Sequence, residues 1–188
     1  MSALTLLIIR HAEKPEDQWP GPGLTHKGAE DKESLVIRGW QRAGAWAALF
    51  GAGSSLPDYP EPDTIYAAAP DSAERLHRHP SRRPFETISA LADRLDMKPN
   101  THFIKGEEEQ LVQELLTLSG VVLLSWEHKA IVESILPMLP TAQGILPTEW
   151  PEDRFDVVLR FDRPDGAQQF AYRMLCPQLL SGDPSTGF

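Results

Sequence analysis

The sequence predicts an α/β fold: three layers, with a mostly parallel central sheet, helices on both faces and a C-terminal antiparallel hairpin at one edge. Three observations predict it. Near-continuous aliphatic runs at 4–9, 64–69 and 121–126 have the pattern of strands covered on both faces. The first run is followed, after a loop, by a segment whose apolar residues recur at three- and four-residue steps, the helical period, and helices are expected after the other two. Two later stretches, 155–162 and 168–175, instead alternate apolar with polar residues around Pro164-Asp165-Gly166, a hairpin with one solvated face.

The elements follow in order. Residues 4–9 form the first strand, whose carboxyl end is the ligand-binding end in a sheet of this type. Residues 13–33, rich in Pro, Gly and charge without periodicity, read as a loop beside that end. Leu35, Trp40, Ala43, Trp46, Ala47 and Phe50 mark one face of a helix that Gly51 stops. A Pro- and Gly-rich connection leads to the second strand, 64–69, ended by Pro70. The polar stretch 71–83 then reaches Pro84 at a first helical position, and a helix follows over 85–95. His102-Phe103-Ile104 reads as a short strand. Residues 107–118 read as a helix with acids in its first turn, where the helix dipole favours them. The third strand, 121–126, delivers Glu127-His128 to its end as the first delivers His11, and 130–139 continues as helix. The tail from Pro177 reads as loosely ordered.

Composition bounds the function. The chain of 188 residues with a hydrophobic fraction of 41% suffices for one core, so a single domain over 1–188 is expected. A formal charge of −9 argues against nucleic acid or an anionic membrane as partner, since both require massed Lys and Arg. Any anion site must therefore be locally basic. Cys176 is the single cysteine, which excludes an internal disulfide and suits a reducing cytoplasm. The first apolar run is too short to span a membrane and lacks a basic leader. Nothing in the sequence sets an oligomeric state.

The chemistry sits where aliphatic strands end in Arg10-His11 and Glu127-His128, with Arg82 and Arg83 in the segment between. Two imidazoles and at least two guanidiniums in one crevice can hold a dianion and attack it. In this arrangement the chain resembles the histidine phosphatase superfamily, the phosphoglycerate mutase-like branch 1, over most of residues 4–175. Leu7-Ile8-Ile9-Arg10-His11-Ala12-Glu13 is similar to the opening Arg-His-Gly signature, with Ala in the Gly place. Gly39-Trp40-Gln41-Arg42-Ala43 resembles the Gly-x-x-Arg/Gln-Ala helix start. Arg83-Pro84-Phe85-Glu86-Thr87 resembles the stretch carrying the second phosphate-gripping arginine. Ser125-Trp126-Glu127-His128 falls where the second histidine follows a buried strand.

The resemblance implies a mechanism. His11 attacks phosphorus and becomes phosphohistidine, Arg10 and Arg83 bind the non-bridging oxygens, and His128 donates to the equatorial oxygens. Guanidinium and imidazolium supply the positive charge, so neither a metal nor another cofactor is expected. Family spacing places the proton donor in Glu107-Glu108-Glu109, with Glu107 favoured and Glu108, Glu13 and Glu127 as rivals; a solvated first helical turn is the competing reading of the run. Arg83 competes with Arg82, Arg75 and Arg78 for the phosphate. Arg42 reads as a surface or helix-end residue. His77, His79 and His102 lack metal-ligand spacing. Trp40 and Trp46 fit helix packing, whereas Trp19 and Trp126 are candidates for the pocket mouth. Trp126-Glu127 and Lys129 depart from the small or hydroxyl residue and the Gly that flank the family's second histidine.

The reading that follows is a cytoplasmic, metal-independent phosphomonoesterase acting on a small phosphorylated molecule or a phosphoprotein. The alternatives are a phosphoglycerate or phosphosugar mutase, which the lack of obvious insertions to enclose an intermediate disfavours, and a regulatory module that binds phosphate without turnover.

Overall fold

A computed structural model describes residues 2–52, 56–70, 81–143 and 145–188. Its six-stranded sheet has the order β2-β3-β1-β5-β6-β4, built from β1 (Leu4–Arg10), β2 (Thr64–Ala67), β3 (Gly120–Trp126), β4 (Thr141–Gln143), β5 (Val158–Arg163) and β6 (Phe170–Leu175). β1, β2 and β3 run parallel, β5 lies antiparallel to β1, and β5 and β6 form the expected hairpin. The short β4 pairs with β6 and lies outermost; its three residues carry no period from which a strand could be read.

The period of two along β1 explains the three layers. Leu4, Leu6 and Ile8 face one side and pack with Val122, Leu124, Leu111, Leu115 and Ile131; Leu7 and Ile9 face the other, with Leu123, Trp46, Phe50, Ile88 and Leu91. At roughly 2 kcal/mol for each fully buried aliphatic side chain, both faces hold their helices. Helices α1 (Ile37–Phe50) and α2 (Arg83–Arg94) cover the second side, and α3 (Glu108–Leu115) the first. A further helical segment begins as α4 (His128–Ala130), widens into a π-helical turn over Ile131–Ile135 and tightens to a 3-10 turn over Leu136–Met138. Such widened turns are frequent at functional sites.

Two expectations change. Residues 102–104 are not a strand: Asn100 makes an isolated bridge to Tyr66, and the Ala69 amide donates to Phe103 O. The C-terminal segment is not loose. Asp183 is clamped by Arg42, Arg38 donates to Ser181 O, Arg154 donates to Thr186 O, and the Phe188 ring packs against Trp150 at 5.2 Å. Polar residues without periodicity look unstructured in sequence, but here they find buried cations supplied by other elements.

Candidate active site

The pairing of β1 with β3 sets Arg10 opposite Trp126, so both chains leave the sheet at one level. The amide of His11 then donates to Trp126 O at 2.9 Å, a hydrogen bond that extends the ladder one residue beyond the strand. The rings of His11 and His128 consequently stand edge to face, with centroids 6.5 Å apart. Both line a cavity of about 860 Å³, to which Arg83 contributes from the start of α2.

His11 is buried and its Nδ1 lies 2.8 Å from Ala12 O. A carbonyl can only accept, so this bond places the proton on Nδ1 and leaves the Nε2 lone pair available. Burial, followed by the positive charge of Arg10, holds the imidazole pKa well below its usual value. His128 is pushed down to about 4, again by burial first and Arg10 second. Its Nδ1 stands 3.1 Å from Glu127 Oε1, yet neither ring nitrogen completes a hydrogen bond among the described residues. The ring is thus neutral and its donor capacity unspent.

Arg10 is almost wholly enclosed. Its Nη1 donates to the carbonyls of Pro151, Glu152 and Arg154 at 3.1, 2.7 and 3.2 Å, and the guanidinium lies 3.8 Å from the centre of the Phe155 ring. Among the described residues, Nε and Nη2 are buried without partners. Burial lowers its pKa to about 10, which still leaves the group charged at neutral pH. Arg83 donates through Nη2 to Lys32 O at 2.6 Å and reaches Glu33 at 3.5 Å, while its Nε has no partner among the described residues. Buried N–H groups without acceptors are costly; Arg83 lines the cavity and can offer its Nε to an oxyanion there, whereas Arg10 adjoins the cavity without lining it. Arg82 turns to Asp31 at 3.1 Å and does not line the cavity. Arg75, Arg78, His77 and His79 lie outside the described residues.

Thr87 joins the segments that carry His11 and Arg83. Its hydroxyl donates to Arg83 O at 2.7 Å and accepts from the Ala12 amide at 2.8 Å, so the first turn of α2 is tied to the loop that carries His11. Glu86, one residue earlier, accepts from the Ser34 hydroxyl at 2.7 Å and the Leu35 amide at 3.0 Å.

The four acids considered as proton donors have separate fates. Glu107 precedes α3, accepts the Ile104 amide at 3.1 Å and does not line the cavity. Glu108 does line it, 6% exposed, and accepts from Trp126 Nε1 at 3.0 Å and the Gly106 amide at 2.9 Å. Glu13 is fully buried and held by Arg42 Nε and Nη2 at 3.0 and 2.8 Å, with Arg38 at 3.3 Å. Glu127 borders the cavity, but its Oε2 accepts the Ala130 amide at 3.0 Å and meets Lys105 at 3.0 Å. Burial alone would raise its pKa; the Ala130 hydrogen bond and Lys105 outweigh that and push it down to about 2, so it stays a carboxylate.

Arg42 is the residue the sequence misplaces most. Rather than lying at a surface, it is 2% exposed and holds Glu13 on one edge and Asp183 on the other. Asp183 carried no signal at all, because its partner comes from α1. Gly39 explains how α1 comes so near: a Cβ there would stand 2.5 Å from Glu13 O. Trp126 lines the cavity but is fully buried in its wall, and Trp19 stacks on Arg38 at 4.6 Å and does not line the cavity. Trp46 is buried on α1, and Trp40 donates to Leu24 O.

The cavity gathers Lys14, Arg83, Lys105 and Lys129 around the two imidazoles, and Glu33, Glu108, Glu127 and Glu133 line it as well. Lys14, Lys129 and Arg10 all depress the basicity of His128 through their charge. The result is a neutral imidazole beside Arg10 and Arg83, an arrangement that can attack a bound anion.

No protein-family model and no curated protein matches the sequence. Solved structures do. The protein histidine phosphatase SixA complexed with tungstate superposes with a TM-score of 0.54 at 12% identity, covering 92% of this chain and 97% of that one. A mycobacterial glucosyl-3-phosphoglycerate phosphatase gives 0.51 at 14% identity, covering 93% and 98%. What is shared at such identities is the fold.

Proposed function

We propose that this chain, whose fold is that of the histidine phosphatases, is a metal-independent hydrolase of phosphomonoesters that works through a phosphohistidine on His11. The observation that carries the reading is the buried, neutral His11. Its Nδ1 proton is engaged by Ala12 O, and it shares a cavity with His128 and Arg83 while two N–H groups of the adjoining Arg10 lack acceptors among the described residues. The fold neighbour that holds tungstate, an anion of phosphate's shape, supports a tetrahedral oxyanion as the ligand.

In the first step His11 Nε2 forms the N–P bond as the bond from phosphorus to the leaving oxygen breaks. Arg10 Nε and Nη2, Arg83 and His128 donate to the non-bridging oxygens, whose negative charge favours a protonated His128 once the anion is bound. The departing oxygen keeps its electron pair and takes a proton from Glu108, one of the acids that line the cavity. In the second step water attacks phosphorus, the Glu108 carboxylate accepts the water's proton, and the N–P bond breaks to restore neutral His11. The cavity is far larger than an inorganic phosphate, which suits a small organic phosphate or a phosphorylated side chain as substrate.

The test is phosphoenzyme trapping. Brief exposure to labelled aryl phosphate with metal chelated should leave acid-labile, base-stable label on the wild-type protein and none on His11→Ala. Label retained in the variant would refute His11 as nucleophile. Label on neither protein would favour the binding module, and its passage to a second hydroxyl of an added sugar phosphate would favour a mutase.

A further inference from the structure

The aromatic residue two positions before His128 replaces the small or hydroxyl residue expected there and performs a task of its own. The Trp126 indole is fully buried in the core cluster beneath α3 and the α4 segment, and its Nε1 donates to Glu108 Oε1 at 3.0 Å. The second support of Glu108 is the Gly106 amide, 2.9 Å from both carboxyl oxygens and aimed by a backbone φ of +97°, which glycine adopts without strain. The same Trp126 accepts the His11 amide through its carbonyl. One residue therefore touches the nucleophile's backbone and the carboxyl that the reading above makes the proton donor.

We infer that Trp126 is a positioning residue, which through its indole N–H fixes the Glu108 carboxyl in register with the leaving oxygen. The inference rests on the proposed phosphohistidine chemistry. The geometry gives its reason. Glu108 begins a helix that packs on the far face of β3, and a glutamate left to itself samples several rotamers. A rigid indole rooted in the strand that also carries His128 leaves one, because the ring cannot move without disturbing the core. Proton transfer to a leaving group depends on such placement, whereas phosphate binding and attack by His11 do not.

Trp126→Phe removes the donor and keeps an aromatic ring. The expected result is a fall in kcat/KM of about tenfold for phenyl phosphate, whose leaving oxygen needs a proton, and less than about twofold for 2,4-dinitrophenyl phosphate, whose leaving group departs as the anion. Vanadate affinity should be unchanged. In a Glu108→Gln background the Phe substitution should cost nothing further on phenyl phosphate, since the pair acts as a unit. If the Phe variant does not fold, replacing Trp126 by benzothienylalanine, an isostere whose sulfur stands where the N–H was, reads the same contrast. Equal losses across both substrates, no loss on phenyl phosphate, or additive losses in the double variant would overturn the inference. In each of those cases the wild-type protein still becomes labelled on His11 by dinitrophenyl phosphate; failure of that labelling instead removes the phosphohistidine reading, and the positioning role with it.

Discussion

Arg42 and Asp183 meet in a two-pronged ion pair, Nη1 to Oδ2 at 3.0 Å and Nη2 to Oδ1 at 2.8 Å, that fastens the C-terminal segment to α1. The same guanidinium grips Glu13, two residues after His11, so the segment braces the loop that carries His11 from behind. Asp183→Asn is expected to lower the free energy of unfolding by about 2 kcal/mol, less than the roughly 3–5 kcal/mol of a buried pair broken outright, because Glu13 still faces Arg42. Urea denaturation measures it. An unshifted midpoint would show that the segment adds nothing to stability.

The two neighbouring glutamates at the start of α3 should part company. Glu108→Gln is expected to slow phenyl phosphate hydrolysis by about a hundredfold, in the range of a lost general acid. Glu107→Gln should stay within about threefold, since that carboxylate serves the Ile104 amide. Steady-state rates on one protein preparation of each decide between them, and the reverse ranking would return the acid's role to Glu107.

Arg83→Ala should weaken vanadate binding by about 2 kcal/mol, close to thirtyfold, as expected for a charge-assisted contact in a sheltered site. Arg82→Ala should change it less than about twofold, because the half-exposed Arg82 side chain pairs with Asp31. Calorimetric titration gives both constants; equal effects would mean that the cavity does not distinguish the two arginines.

The depressed imidazoles make stability fall in acid. His128 has a folded pKa of about 4, below its unfolded value of roughly 6.5, so the unfolded chain binds the proton first. The contribution of the neutral ring is complete above about pH 6.5 and is lost as the pH drops toward 4; His11, shifted in the same direction, adds to it. The urea midpoint should decline across that window, and His128→Gln should decline less steeply. Parallel curves for the two proteins would refute the assignment.

Much was legible in the sequence because it is a property of local period. The runs ending in His11 and His128 could only be buried strands, and their alternation of faces required helices on both sides; the hairpin announced itself through Pro164-Asp165-Gly166. Family spacing brought His11, His128, Arg10 and Arg83 forward as a group, and the fold delivers His11, His128 and Arg83 to one cavity with Arg10 beside them. The choice among Glu107, Glu108, Glu13 and Glu127 was not legible, because adjacent helical residues point in directions about 100° apart and only the packing of α3 on β3 says which one faces the cavity.

The sequence by itself determined which strands are buried, where they end and which titratable groups stand at those ends, since hydrophobic period and chain order need no knowledge of distant partners. The tertiary structure alone decided how those groups are charged and held. Arg42 became a buried brace when α1 met the C-terminal segment, and Trp126 became the support of a carboxyl when α3 came down on β3. Desolvation and ion pairing depend on what lies across a gap of a few ångströms, and residues that meet across such gaps are far apart along the chain.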